Sequence, residues 1–325
     1  MKRYISKRIL YAIVILCLFS MICVSIQIFL STLNTPKNPD EVRLAVVQFN
    51  PVKEKAKNLE KIEYYITEAG EKDIDLIVFP ELITTYYVWN NQSEYTKYYR
   101  ENAETIPGET SNRIANLSKK YNMYVCWGMV EKSNTSENLY NTQVLAGPDG
   151  QIIATYRKIH LTEYENDVFT SGEEIRVYNT SIGKIGIMIC RDRRFPELAR
   201  TYSLLGADIL IIGAATSSRV RDTFILPAMA YENSVWVIFA NEVGVQPGKH
   251  SPGDRPLIYH GDSQIIDPFG EIRIKASGYR EEMVWIAVNR DELRLKNELV
   301  GERKPEVYSK VPVIYDIPSP WGKNV

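Results

Sequence analysis

The feature that most constrains this chain is a set of short runs with no polar face. Residues 76–79 (LIVF), 185–190 (IGIMIC), 209–214 (ILIIGA) and 235–240 (VWVIFA) are apolar at nearly every position. A strand built from such a run must be covered on both sides. Between these runs lie segments with helical spacing. In residues 53–72, Leu59, Ile62, Tyr65, Ile66 and Ala69 line one face, the pattern of an amphipathic helix. Residues 109–122 predict a second helix, capped by Thr110 or Ser111. Residues 195–206 predict a third, opening with Pro196, and 221–234 a fourth. The turns GPDG and SIGK separate further strand runs at 123–132, 139–158 and 175–190, and 262–277 reads as a hairpin followed by a strand at 283–289. Two-faced strands interleaved with helices predict an α/β layered sandwich, two sheets face to face with helices outside.

The first thirty residues follow another rule. Residues 9–30 carry no charge, and Lys2, Arg3, Lys7 and Arg8 precede them. As a helix the run would reach about 33 Å, enough to cross a bilayer core. The positive-inside rule puts residues 1–8 in the cytoplasm and the rest of the chain outside, tethered at the cell membrane as a single-pass protein. Residues 31–41, polar with two prolines, read as a linker, 42–318 as the globular domain and 319–325 as a tail. The formal net charge of −1 gives no basic field for nucleic acid.

Of the four cysteines, Cys17 and Cys23 fall in the uncharged run and Cys126 sits inside a strand-like run. Two cysteines in the domain do not make a disulfide scaffold. Cys190 is different: it ends an apolar strand and is followed at once by Arg191, Asp192, Arg193 and Arg194. Charges there must be paired or line a cleft. Two other strands end the same way, one in FPEL with Glu81 and one in YRKIHL with Lys158. The crevice beyond strand ends is where α/β sheets bind ligands. A thiol there can act as nucleophile, a carboxylate can take its proton, and an ammonium can hold an oxyanion. The three histidines lie apart, no ligand set for a metal is evident, and no phosphate-binding glycine loop follows a strand; no cofactor is expected.

The motifs VVQFN, IVFPEL, YRKIHL and GIMICRDRRFPELAR, in that order, resemble those of the nitrilase superfamily, the carbon–nitrogen hydrolases. The resemblance covers residues 42–309. It implies a four-layer αββα sandwich that pairs as a homodimer or higher oligomer, and a triad of Glu81, Lys158 and Cys190. It also implies a second glutamate between lysine and cysteine, for which Glu165, seven residues before Gly172, fits better than Glu163. The Arg191 backbone N–H would face the oxyanion, and Asp192 and Glu197 would each hold an arginine. The sequence C-R-D-R-R-F-P-E is similar to that of the N-carbamoyl-amino-acid amidohydrolases, which implies that Arg193 and Arg194, with Arg191 beside them, bind a substrate carboxylate. A guanidinium fork suits that ligand. The chain departs from those enzymes at GAATSS, where Ala215 precedes Thr216. The expected substrate is thus a small amide or N-carbamoyl compound. A membrane-tethered acyltransferase using the same thioester is the first alternative, and a non-catalytic binding module the second.

Overall fold

The computed structural model describes residues 37–86, 92–246 and 257–309. Fourteen strands are described: β1 (Glu41–Gln48), β2 (Leu76–Val78), β3 (Tyr124–Lys132), β4 (Leu139–Ala146), β5 (Ile152–Arg157), β6 (Val177–Thr180), β7 (Gly183–Ile189), β8 (Ile209–Ala214), β9 (Trp236–Asn241), β10 (Val243–Gln246), β11 (Leu257–His260), β12 (Gln264–Ile266), β13 (Ile272–Lys275) and β14 (Glu282–Asn289). The helices used below are α1 (Lys55–Glu71), α2 (Gln92–Asn102), α3 (Glu109–Lys120), α4 (Pro196–Leu204) and α5 (Arg219–Asn233). One sheet has the order β14-β1-β2-β3-β4-β5, and a second has β13-β12-β9-β8-β7-β6. The strands β1, β2 and β3 run parallel, as do β7, β8 and β9.

The alternation of side chains along each strand assigns the layers. In β1, Val42, Leu44 and Val46 join Leu76, Val78, Tyr124 and Cys126 in a core shared with Ile185, Ile187 and Ile189 of the other sheet. The opposite face, Ala45, Val47, Ile77, Val125 and Trp127, packs on Leu59, Ile62, Ile66 and Ala69 of α1 and Ile114 of α3. On the far side of the second sheet, Leu198, Ala199 and Tyr202 of α4 and Leu226, Met229 and Ala230 of α5 complete the stack. This is the αββα order expected from the two-faced runs. The triad is carried by strands from both sheets, so the packing between the sheets fixes its geometry.

Three local differences from expectation have physical causes. Helix α3 is capped by Gly108, in extended backbone, and not by Thr110 or Ser111. Ser111 Oγ instead accepts the Gly108 N–H at 2.8 Å, and Thr110 is held by Glu104. Helix α2 carries no apolar period in the sequence, because its apolar residues are all tyrosines; Tyr98 and Tyr99 are buried. The run VWVIFANEVG, which reads as one strand, divides at Glu242 into β9 and β10, and β10 pairs with β11. Among the described residues, no helix is long and apolar enough to cross a membrane. The expected span at 9–30 and the tail at 319–325 lie outside the described residues.

Candidate active site

Three chain segments converge on one crevice. Glu81 follows β2 after Phe79 and Pro80, Lys158 follows β5 directly, and Cys190 follows β7 directly. Glu81 and Lys158 are fully buried, Glu165 is 4 % exposed and Cys190 8 %. The Lys158 ammonium donates to Glu81 Oε1 at 2.6 Å and to Glu165 Oε1 and Oε2 at 2.8 and 2.9 Å. A buried charge this surrounded is stable only because its donors are satisfied. Glu163, the rival for the second glutamate, is exposed. Glu165 is held inward by a short 3-10 turn (Glu165–Asp167) and by the Thr162 N–H, 2.8 Å from its Oε2.

Each carboxylate has a further fixed partner. The Ala215 N–H, at the end of the second sheet's β8, donates to Glu81 Oε2 at 2.9 Å. Asn141 Nδ2 bridges the two acids, 2.7 Å from Glu81 Oε1 and 2.9 Å from Glu165 Oε1. Sequence reasoning missed Asn141, although a signal existed: Asn141, Thr142 and Gln143 are three successive polar residues inside a buried strand, and such groups need partners. Each has one beside the site. Gln143 holds the Phe79 carbonyl, just before Glu81, at 3.0 Å. Thr142 holds Glu131, which in turn pairs with Arg157, the neighbour of Lys158. Glu242 was also missed. It is fully buried, and burial, with Glu81 adding to it, holds its carboxyl well above the usual range.

Cys190 sits at a bend. Its φ is 43°, the left-handed region that costs an ordinary residue roughly 1–2 kcal/mol. The turn Cys190–Arg194 that follows turns on Asp192. Asp192 accepts the Ile189 N–H at 3.0 Å, the Tyr156 hydroxyl at 2.7 Å and the His160 N–H at 2.9 Å. Its Oδ1 also lies 2.8 Å from His160 Nδ1, and the His160 ring stacks on Phe195. Asp192 therefore ties the cysteine elbow to Tyr156 and to the loop after Lys158 instead of holding an arginine, the partner that the family resemblance implied; Glu197 is exposed. Arg193 is buried and pairs with Asp222 of α5, while Arg194 is exposed and Arg191 half-buried. The two adjacent arginines thus do not form one fork.

The charges set the protonation states. Burial opposes the Lys158 charge, but Glu165 and Glu81 outweigh it, and its pKa rises above the ordinary lysine range. Burial raises Glu81, Lys158 pulls it back and Glu165 pushes it up, leaving it raised. Burial pushes the Cys190 thiol up to about 11; Glu81 adds to the rise while Lys158 and Arg193 oppose it. The crevice brings together a thiol held protonated at neutral pH, an ammonium, and a carboxyl whose hold on a proton is strengthened. Such an arrangement can attack an electrophilic carbon with base assistance, without a standing thiolate.

The αββα sandwich thus gathers a buried carboxylate, ammonium and thiol at its strand ends. Residues 43–297 match the carbon–nitrogen hydrolase family, and the chain belongs to it as a nitrilase-superfamily enzyme. It is 34 % identical to a nitrilase of Pyrococcus abyssi over 275 residues, 82 % of this chain and 99 % of that protein. It is 29 % identical to an omega-amidase of Xenopus tropicalis over 282 residues, 82 % and 96 % of the two chains. A solved carbon–nitrogen hydrolase from Helicobacter pylori matches it with a TM-score of 0.73 and 25 % identity, covering 83 % of this chain and 98 % of that one.

Proposed function

We propose that the chain hydrolyses the carbon–nitrogen bond of small amides through a thioester on Cys190. The observation that carries this reading is the Lys158 ammonium gripped by Glu81 and Glu165 in the crevice where the buried Cys190 thiol emerges. Glu81 takes the thiol proton as Sγ bonds to the amide carbon, and the carbonyl π electrons move to oxygen. Lys158 and the Arg191 backbone N–H stabilise that oxyanion. The tetrahedral adduct collapses, the C–N bond breaks, and Glu81 returns the proton to the leaving nitrogen. A water then gives its proton to Glu81 and attacks the thioester, releasing the acid and restoring the thiol.

The relatives named as nitrilase and omega-amidase favour an amide over an N-carbamoyl amino acid. The pairing of Arg193 with Asp222 favours it too, because the carbamoyl reading needs that guanidinium for a substrate carboxylate. Arg194, exposed beside it, remains the candidate for a carboxylate on the amide. Water is the proposed acceptor of the acyl group. The uncharged run at 9–30, behind four cationic residues, is the proposed membrane anchor, with the domain outside the cytoplasm. Two sandwiches are proposed to pair, which sedimentation of the full chain tests.

The test is release of ammonia from a panel of small aliphatic amides and N-carbamoyl amino acids, with and without an added amine. Turnover of amides that is lost in Cys190→Ala supports the reading. Turnover only when an amine is present assigns an acyltransferase, and no turnover of any compound leaves the binding module.

A further inference from the structure

Arg193 departs furthest from its expected role. Its side chain is 1 % exposed. An arginine has five N–H donors and no acceptor. Nε donates to Asp222 Oδ1 at 2.6 Å and Nη2 to Asp222 Oδ2 at 3.0 Å. Nη2 also donates to Thr216 Oγ1 at 3.1 Å. Nη1 donates to the Cys190 carbonyl and lies 3.6 Å from Cys190 Sγ. These contacts account for all five donors, so none is left for an incoming carboxylate.

We propose that Arg193 is a positioning residue for the nucleophile: braced by Asp222 and Thr216, it clamps the left-handed elbow at Cys190 and holds a cation beside the sulfur. The proposal rests on Cys190 being the nucleophile of the reading above. Strained backbone persists where its surroundings over-determine it. The bond from Arg193 back to the Cys190 carbonyl supplies that constraint from three residues on, and Asp222 fixes the guanidinium from a separate helix, α5. A lysine has no planar fork and could not meet Asp222 with two bonds while also reaching Thr216 and Cys190.

The same clamp sets the field at the sulfur. The groups that face it are Glu81 from the segment after β2, Lys158 from the end of β5, Glu165 from the 3-10 turn and Arg193 from its own turn. Arg194, also on that turn, feels the charge of the sulfur more weakly than that of Arg221 and Arg193. Ala215 contributes a carbonyl oxygen 3.9 Å from Sγ. The two glutamates disfavour a negative sulfur, whereas Lys158 and Arg193 favour it. Asp222 neutralises part of the Arg193 charge. Removing the Arg193 charge and removing the Asp222 charge therefore move the sulfur in opposite directions. Loss of packing alone would not produce that pair of signs.

The test uses the full chain and two measurements. The first is the rate of Cys190 alkylation by iodoacetamide at about pH 8, followed by peptide mass so that Cys17, Cys23 and Cys126 are read separately. Below the thiol pKa this rate follows the thiolate fraction, so a shift of one unit reads as about tenfold. Arg193→Met is expected to slow it about tenfold, and Asp222→Asn to speed it about threefold. The second compares kcat and KM for two small amides that differ only in bearing a carboxylate. Arg193→Met is expected to lower kcat for both by about tenfold or more and to leave the ratio of their KM values within about twofold. Should Arg193→Met not fold, Asp222→Asn alone decides: a rate that rises supports the clamp, and a rate unchanged or slower overturns it. The proposal is also overturned if both variants shift the rate in one direction, or if the KM rise is confined to the carboxylate-bearing amide. An active Cys190→Ala enzyme would instead sink the functional reading, which neither Arg193 measurement addresses.

Discussion

At the scale of single residues, the account divides two buried cysteines by what surrounds them. Cys126 packs in the core between the sheets, and burial pushes its thiol up to about 12, with a hydrogen bond to Gln143 pulling the other way. Cys190 has Lys158 and Arg193 beside it. Cys126→Ala should therefore keep most of the activity and cost about 1 kcal/mol of stability, read by urea unfolding. Cys190→Ala should abolish turnover. Glu81→Gln keeps the shape and removes the base, and should slow acylation by about two to four powers of ten in single-turnover kinetics. The pH dependence follows from the same carboxyl. Protonating Glu81 removes the base, so activity falls as pH falls. Burial has raised its pKa, so this acid limb of kcat/KM should lie above the ordinary glutamate value of 4.5. Glu81, Lys158 and Cys190 could be picked out in the sequence because each stands just past the end of a strand run. The partners that orient them could not. Asp222 lies 29 positions from Arg193 and Asn141 lies 60 from Glu81, separations that leave no periodic trace.

At the scale of elements, the strand ends work only if the segments beyond them are aimed. Gly128 of β3 shows how little room there is: a Cβ there would come within 2.3 Å of the Leu82 nitrogen and 2.7 Å of the Pro80 carbonyl oxygen. Gly128→Ala must displace the segment that carries Glu81. It is expected to cost about 1–3 kcal/mol of stability and to lower kcat more than the conservative core change Cys126→Ala. Equal kcat values in the two variants would separate Gly128 from the site. Asp192 performs the matching task for β5 and β7. Asp192→Ala leaves the Ile189 and His160 N–H groups and the Tyr156 hydroxyl without their acceptor, at about 1–3 kcal/mol for a buried group. Its thermal midpoint should fall further than that of a Glu197→Ala control, since Glu197 is exposed. The layers themselves could be read from the two-faced apolar runs and the apolar face of α1. Helix α2 and the β10–β11 pair could not, because tyrosine-rich or short segments carry no clear period.

At the scale of the whole molecule, the two sheets are joined by the site as well as by the core. The Ala215 N–H of one sheet holds the Glu81 carboxylate of the other, and the elbow at Cys190 is tied through Asp192 to Tyr156 in β5 and to His160 beyond it. The chain ahead of the domain adds a separate expectation: the full protein should stay with membranes through a carbonate wash, and a mature protein beginning beyond residue 30 would refute the anchor. Neither outcome changes the chemistry. The central claim is that Cys190 carries the acyl group, and mass analysis of the full chain quenched during turnover of a small amide measures it directly. The predicted result is an added acyl mass that maps to the peptide bearing Cys190 and is absent in Cys190→Ala. An adduct on the peptide bearing Cys126, or turnover that persists in Cys190→Ala, would contradict the account.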